Sequence, residues 1–144
     1  MPTTETRTGE ILEHLVRHAL EVMCFAEAQR LSSVPPIARP VAARIDFSGA
    51  HPGHLQIEVE PAAARALTAA FLGLEAWHPS LESHTHDAVR ELARVLSGRL
   101  VTSLDPAALF ETGAMPDGAI EPKETIRQAF RLSAGTLSVT LQIS

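Results

Sequence analysis

The sequence predicts an α+β domain with a mostly antiparallel sheet and helices packed on it. Two segments carry apolar residues at helical spacing, and four carry strict apolar–polar alternation. With a further helix and a short strand marked by their end signals, the order is helix, two strands, two helices, then three strands, that of an α+β chain and not of alternating βαβ units.

The first helix is expected from about Thr8 to Gln29, with Ile11, Leu15, Ala19, Val22 and Phe25 inward and Glu13, Arg17 and Glu21 outward. Ser32-Ser33-Val34-Pro35-Pro36 ends it, because proline lacks the backbone donor and clashes with the preceding turn. Val41, Ala43, Ile45 and Phe47 then alternate with Ala42, Arg44, Asp46 and Ser48, which reads as a half-buried strand. After the turn-rich stretch Ser48 to Gly53, Leu55, Ile57 and Val59 alternate with Gln56, Glu58 and Glu60 to complete a hairpin.

Pro61 suits the first position of a second helix and Gly73 its end. Trp77-His78-Pro79 forms a loop, and a long helix follows from about Ser80 to Leu104, stopped by Asp105-Pro106. A short strand is expected over Leu109 to Thr112. Ile126, Gln128, Phe130 and Leu132 alternate, the chain turns at Ala134-Gly135, and Leu137, Val139, Leu141 and Ile143 alternate again, giving a terminal hairpin. The last strand, Leu137 to Ile143, is a candidate sheet edge.

Size and composition narrow the function. The 144 residues suit one domain, taken as 1–144, which can bury a core without staples. Cys24 is the sole cysteine, so no internal disulfide forms; its apolar surroundings suit a small buried hydrophobe better than a nucleophile. No signal sequence is expected, and the most apolar stretch, Ala62 to Leu74, is far short of the ~20 residues of a membrane span. A cytoplasmic protein away from membranes is therefore expected. The net charge of −5 with scattered arginines argues against nucleic acid. His51, His54, His78, His84 and His86 have no conventional ligand spacing, so no metal site is expected. Neither a phosphate loop nor a G-x-S-x-G turn is present. Contact with another protein is the remaining class.

The long helix carries the polar feature most suited to that contact. Leu81, Ala88, Val89, Leu92, Val95, Leu96 and Leu100 share a face directed at the sheet. Asp87, Glu91 and Arg94 lie within about 60° of one another on the other side, with Gly98 on the same stripe. Glu91 and Arg94, three apart, are placed to pair, and a solvated charged face would look the same. Glycine inside a helix costs about 1 kcal/mol relative to alanine, so Gly98 suits a place where something approaches the backbone closely.

The run Asp87-Ala-Val-Arg-Glu91-Leu-Ala-Arg94-Val-Leu-Ser-Gly98 resembles the signature helix of the CheC/CheX chemotaxis phosphatases. That helix has an acidic residue or serine, then Glu, then Asn three positions on, then Gly. Glu21 to Phe25, Ile45 to Gly49 with Gly53 to Leu55, Phe110 to Pro116 and the terminal hairpin are similar to other parts of CheX-like proteins. The resemblance implies a CheX-like fold and action on phosphorylated CheY-type receiver domains. It implies that the receiver supplies the phospho-aspartate, a Mg²⁺ ion and a lysine, and that this chain binds no cofactor itself. Glu91 would anchor the receiver lysine, Asp87 matches the accessory acid, Gly98 permits close docking, and a homodimer is implied as well.

The sequence departs from the family at Arg94, where the family has Asn. An amide both donates and accepts hydrogen bonds and can orient a water, whereas guanidinium has five donors and no acceptor. It can stabilise phosphoryl charge as an arginine finger does, and it can compete with the receiver lysine for Glu91. The chain contains no asparagine, and its carboxamides, Gln29, Gln56, Gln128 and Gln142, lie outside this helix. Two functions remain open: a phospho-aspartate phosphatase using Glu91 and Arg94, or a non-catalytic receiver-binding or dimerisation module of the same fold.

Overall fold

A computed structural model describes residues 7–48, 52–75, 77–104, 111–112 and 124–143. The expectations at 49–51, 105–110 and 113–116 lie outside the described residues, among them most of the first hairpin turn and the start of the short strand near Leu109.

Helix α1 spans Arg7–Cys24 and buries Gly9, Leu12, Val16, Ala19, Leu20 and Cys24. This corrects the expected face. Ile11 and Leu15 are only half-buried, and Val22 and Phe25 are 53% and 81% exposed. The helix also ends five residues earlier than expected, without proline. Phe25 turns left-handed at φ 53°, and its N–H and that of Ala26 donate to the carbonyls of Glu21 and Leu20, both at 3.1 Å. The chain then runs out along the sheet as β1, Gln29–Arg30, continued by a bond from Leu31 N to Ala129 O at 2.8 Å. Pairing with the sheet satisfies backbone groups that another helical turn would otherwise hold.

Strands β2 (Val41–Ser48) and β3 (Gly53–Val59) form the expected antiparallel hairpin, with Ile45 opposite Leu55. Helix α2 covers Pro61–Leu72, with Pro61 in its first turn. Gly73 adopts φ 69°, and bonds from Gly73 N to Ala70 O and Leu74 N to Ala69 O close the helix. This is the Schellman arrangement, which needs a left-handed residue and therefore favours glycine. Helix α3 spans Leu81–Leu104, followed by β4 (Glu111–Thr112), β5 (Glu124–Leu132) and β6 (Gly135–Ile143).

The sheet order is β1-β5-β6-β3-β2-β4, with antiparallel pairing throughout. The terminal strand is thus not an edge. β6 pairs with β3 on one side and β5 on the other, and Leu137, Val139 and Leu141 are fully buried. The outermost strands are the two-residue β1 and β4, which pair with only Phe130 and Arg131 of β5 and with Phe47 and Ser48 of β2.

One sheet face bears Ala43, Ile45, Phe47, Leu55, Ile57, Val59, Leu137, Val139, Leu141, Ile126 and Phe130, and these join residues of all three helices in one core. The other face is polar: Arg44 pairs with Asp46 at 2.8 Å, and Gln56 donates to Glu58 at 3.2 Å. Helix α3 crosses β2 and β3, and α1 and α2 both pack against it. It buries Leu81, Val89, Leu92, Ala93, Leu96, Ser97, Leu100 and Val101. Ala88 and Val95, expected inside, are half-buried. Small Ala93 and Ser97 take part in the contact instead, the Ser97 hydroxyl being satisfied by Ala93 O at 2.8 Å.

Candidate functional site

Two-sided burial of α3 leaves one stripe free. Asp87 and Arg94 are exposed, while Glu91 and Gly98 are partly covered. The loop before the helix fixes its start. His78 Nδ1 accepts from Ser80 N at 3.2 Å and lies 2.7 Å from Ser80 Oγ, and Arg65 donates to His78 O at 3.3 Å. On the α1 side, Arg99 Nη1 lies 3.1 Å from His18 Nδ1. The stripe is thus carried by a helix anchored along its length.

Within the stripe, Arg94 closes a two-point fork on Glu91. Nε donates to Oε2 at 3.0 Å and Nη2 to Oε1 at 2.5 Å. The hydrogen bonds from Arg94 hold the Glu91 carboxyl below the ordinary carboxylate range; burial opposes this, and the Arg94 charge adds to it. The same bonds raise the Arg94 guanidinium above its usual value. The side chains remain 54% (Arg94) and 37% (Glu91) exposed, so the pair is worth only about 0.2–0.5 kcal/mol to the fold. Thr102 Oγ1 donates to Gly98 O at 2.9 Å one turn further on.

The structure therefore brings Asp87, Glu91, Arg94 and Gly98 together on one surface, and it brings no carboxamide there. Gln128 is fully buried in β5, and Gln56 and Gln142 sit on the polar sheet face, while Gln29 belongs to β1. A carboxamide is thus lacking beside Glu91 among the described residues.

Sequence periodicity also missed an apolar crevice at the ends of α1 and α2, lined by Met23, Leu67, Phe71, Ala88 and Leu92. Phe71 is 39% exposed there. Its position follows from how α2 meets α3, which spacing within either helix does not encode. Cys24 borders the same crevice as a buried residue, and burial pushes its thiol up to about 11. Of the histidines, His78 organises the loop and His54 sits opposite Asp46 on the polar face. His51 lies outside the described residues. Among the described residues no three His, Cys, Asp or Glu side chains converge on a metal-sized site, and no helix is long and apolar enough to cross a membrane.

A family model described as "Chemotaxis phosphatase CheX" matches residues 41–131. No curated protein matches the sequence. Several solved structures share the fold. The chemotaxis protein CheX from Vibrio vulnificus superposes with a TM-score of 0.74 at 15% identity, over 99% of this chain and 100% of that one. CheX from Desulfovibrio desulfuricans gives 0.71 at 17%, over 96% and 100%. A CheX-CheY-BeF3-Mg²⁺ complex from Borrelia burgdorferi gives 0.65 at 16%, over 93% and 96%. At these identities the structural likeness is one of fold, and the family rests on the sequence match.

Proposed function

The chain belongs to the CheX family, and from that premise we propose that it acts on phosphorylated CheY-type receiver domains through the outward stripe of α3. The observation that carries this reading is the placement of Glu91 and Arg94, joined in a fork, on the solvent side of α3 with Asp87 and Gly98 on the same stripe.

In this reading Glu91 anchors an ammonium group of the receiver, and Asp87 extends the acidic surface one turn away. Gly98 lets the partner approach the helix backbone. Arg94 lies against the phosphoryl group, where its N–H donors offset the charge that builds on the phosphoryl oxygens during transfer to water. Mg²⁺ belongs to the receiver, whose acyl phosphate is split by water into carboxylate and phosphate. The structural match over 99% of this chain fits a CheX-like domain across it, and a homodimer and a place in the cytoplasm belong to the same proposal.

A second reading is favoured by one observation, the lack of a water-orienting carboxamide on the stripe. Guanidinium cannot accept a hydrogen bond from the attacking water. The protein would then dock on the receiver without hydrolysing it. Phosphate release from phosphorylated receivers of the same genome, with Mg²⁺, separates the two. Release above the receiver's own rate that falls in both Glu91→Ala and Arg94→Ala supports the phosphatase. Release only by Arg94→Asn supports a docking protein on a phosphatase scaffold. No release and no binding by native and variant proteins would end both.

A further inference from the structure

We infer that the Glu91–Arg94 fork makes docking conditional on phosphorylation, because a partner gains from this surface only by bringing a cation and an anion together. The inference rests on the receiver-binding reading and specifies its regulation.

The fork satisfies both carboxylate oxygens of Glu91 at once, and its net charge is zero. A lone cation arriving at Glu91 meets the Arg94 charge at hydrogen-bonding distance from it. A lone anion arriving at Arg94 meets Glu91 in the same way. From the fork itself neither gains a net Coulombic attraction, and each must compete with a preformed two-point bond. A partner carrying an ammonium beside a phosphoryl group gains two attractions for the one it disrupts. Ammonium takes Glu91 and phosphoryl takes Arg94, so each charge of the fork keeps an opposite partner as water leaves the interface.

Without Arg94 the balance inverts. Asp87 and Glu91, one turn apart on the same stripe, would outnumber the exposed Arg90 three residues from Asp87 and leave a net acidic surface. That surface attracts a cationic partner whether or not it is phosphorylated, and it repels the phosphoryl dianion. Arg94 thus acts as the residue that sets selectivity for the phosphorylated state.

The test measures the affinity of the full chain for a CheY-type receiver of the same genome with Mg²⁺, with and without BeF3⁻ as the phosphoryl mimic. Native protein is expected to favour the BeF3⁻ form by about tenfold or more, since truncating one member of a desolvated charge pair costs at least that. Arg94→Ala should bind the unmodified receiver more tightly than native does, and should lose the preference. Glu91→Gln should lose the ammonium contact and leave Arg94 free for the phosphoryl group, so it should weaken the unmodified form more and keep or widen the preference. Arg94→Ala retaining the native preference, or weakening both forms equally, overturns the inference while leaving receiver binding intact. Native protein binding neither form overturns the underlying reading itself. Neither side chain is part of the core, and circular dichroism establishes that each variant is folded.

Discussion

Gln128, in the middle of β5, donates from Nε2 to the carbonyl of Gly9 in the first turn of α1 at 2.7 Å, and both residues are buried. One polar side chain inside an apolar strand face thereby fixes where the first helix sits on the sheet. Gln128→Ala removes this bond and opens a cavity, and should cost about 2–4 kcal/mol in urea unfolding. Gln128→Leu keeps most of the volume and should cost about 1 kcal/mol. Equal costs for the two would show that the bond, and not the packing, carries the whole effect.

Gly53 and Gly73 should respond to alanine for different reasons. A Cβ on Gly53 would stand 2.0 Å from Gln142 O on the neighbouring strand, so β3 and β6 must separate there. At Gly73 nothing lies within 4 Å, and only its φ of 69° resists a side chain. Gly73→Ala should therefore cost about 1–2 kcal/mol. Gly53→Ala should cost at least as much and, unlike Gly73→Ala, speed amide exchange at the end of β6. Unchanged exchange there would contradict the β3–β6 register.

Cys24 should be inert in the folded protein. Its thiol is buried and raised to about 11, leaving almost no thiolate at neutral pH. Alkylation at pH 8 should be slow in buffer and rapid in denaturant. Labelling at the denatured rate in buffer would place Cys24 at the surface.

The strands were legible because alternation is local. Val41 to Phe47 and Leu137 to Ile143 declare their inward faces without reference to any neighbour. Strand order was not legible, since a central strand and an edge strand can alternate identically. The α1 face was misassigned for a related reason. Apolar residues cover much of that helix, and only packing against α3 and the sheet selects Leu12, Val16 and Leu20 over Ile11, Val22 and Phe25. On α3 the stripe of Asp87, Glu91, Arg94 and Gly98 followed from a 100° step, as did the chance of an ion pair. That Arg94 engages both oxygens of Glu91 depends on side-chain torsions that spacing leaves free.

The fork makes a last prediction through pH. Hydrogen bonds from Arg94 lower the Glu91 pKa in the folded state relative to the unfolded chain. A depressed carboxylate contributes stability that is present above the ordinary glutamate pKa and is lost as pH falls through the lowered, folded value. With Glu91 and Arg94 37% and 54% exposed, that contribution stays at about 0.2–0.5 kcal/mol and shrinks in salt. A direct reading comes from the Glu91 side-chain carboxyl resonance followed against pH. In the native protein it should titrate below the ordinary range, and in Arg94→Ala it should return upward. High salt should move the native value part of the way back. Should native Glu91 titrate like an isolated glutamate at low salt, the fork is not populated in solution. Phosphorylation-dependent docking would then lack its starting state, because an unpaired Glu91 would attract cationic partners from the outset.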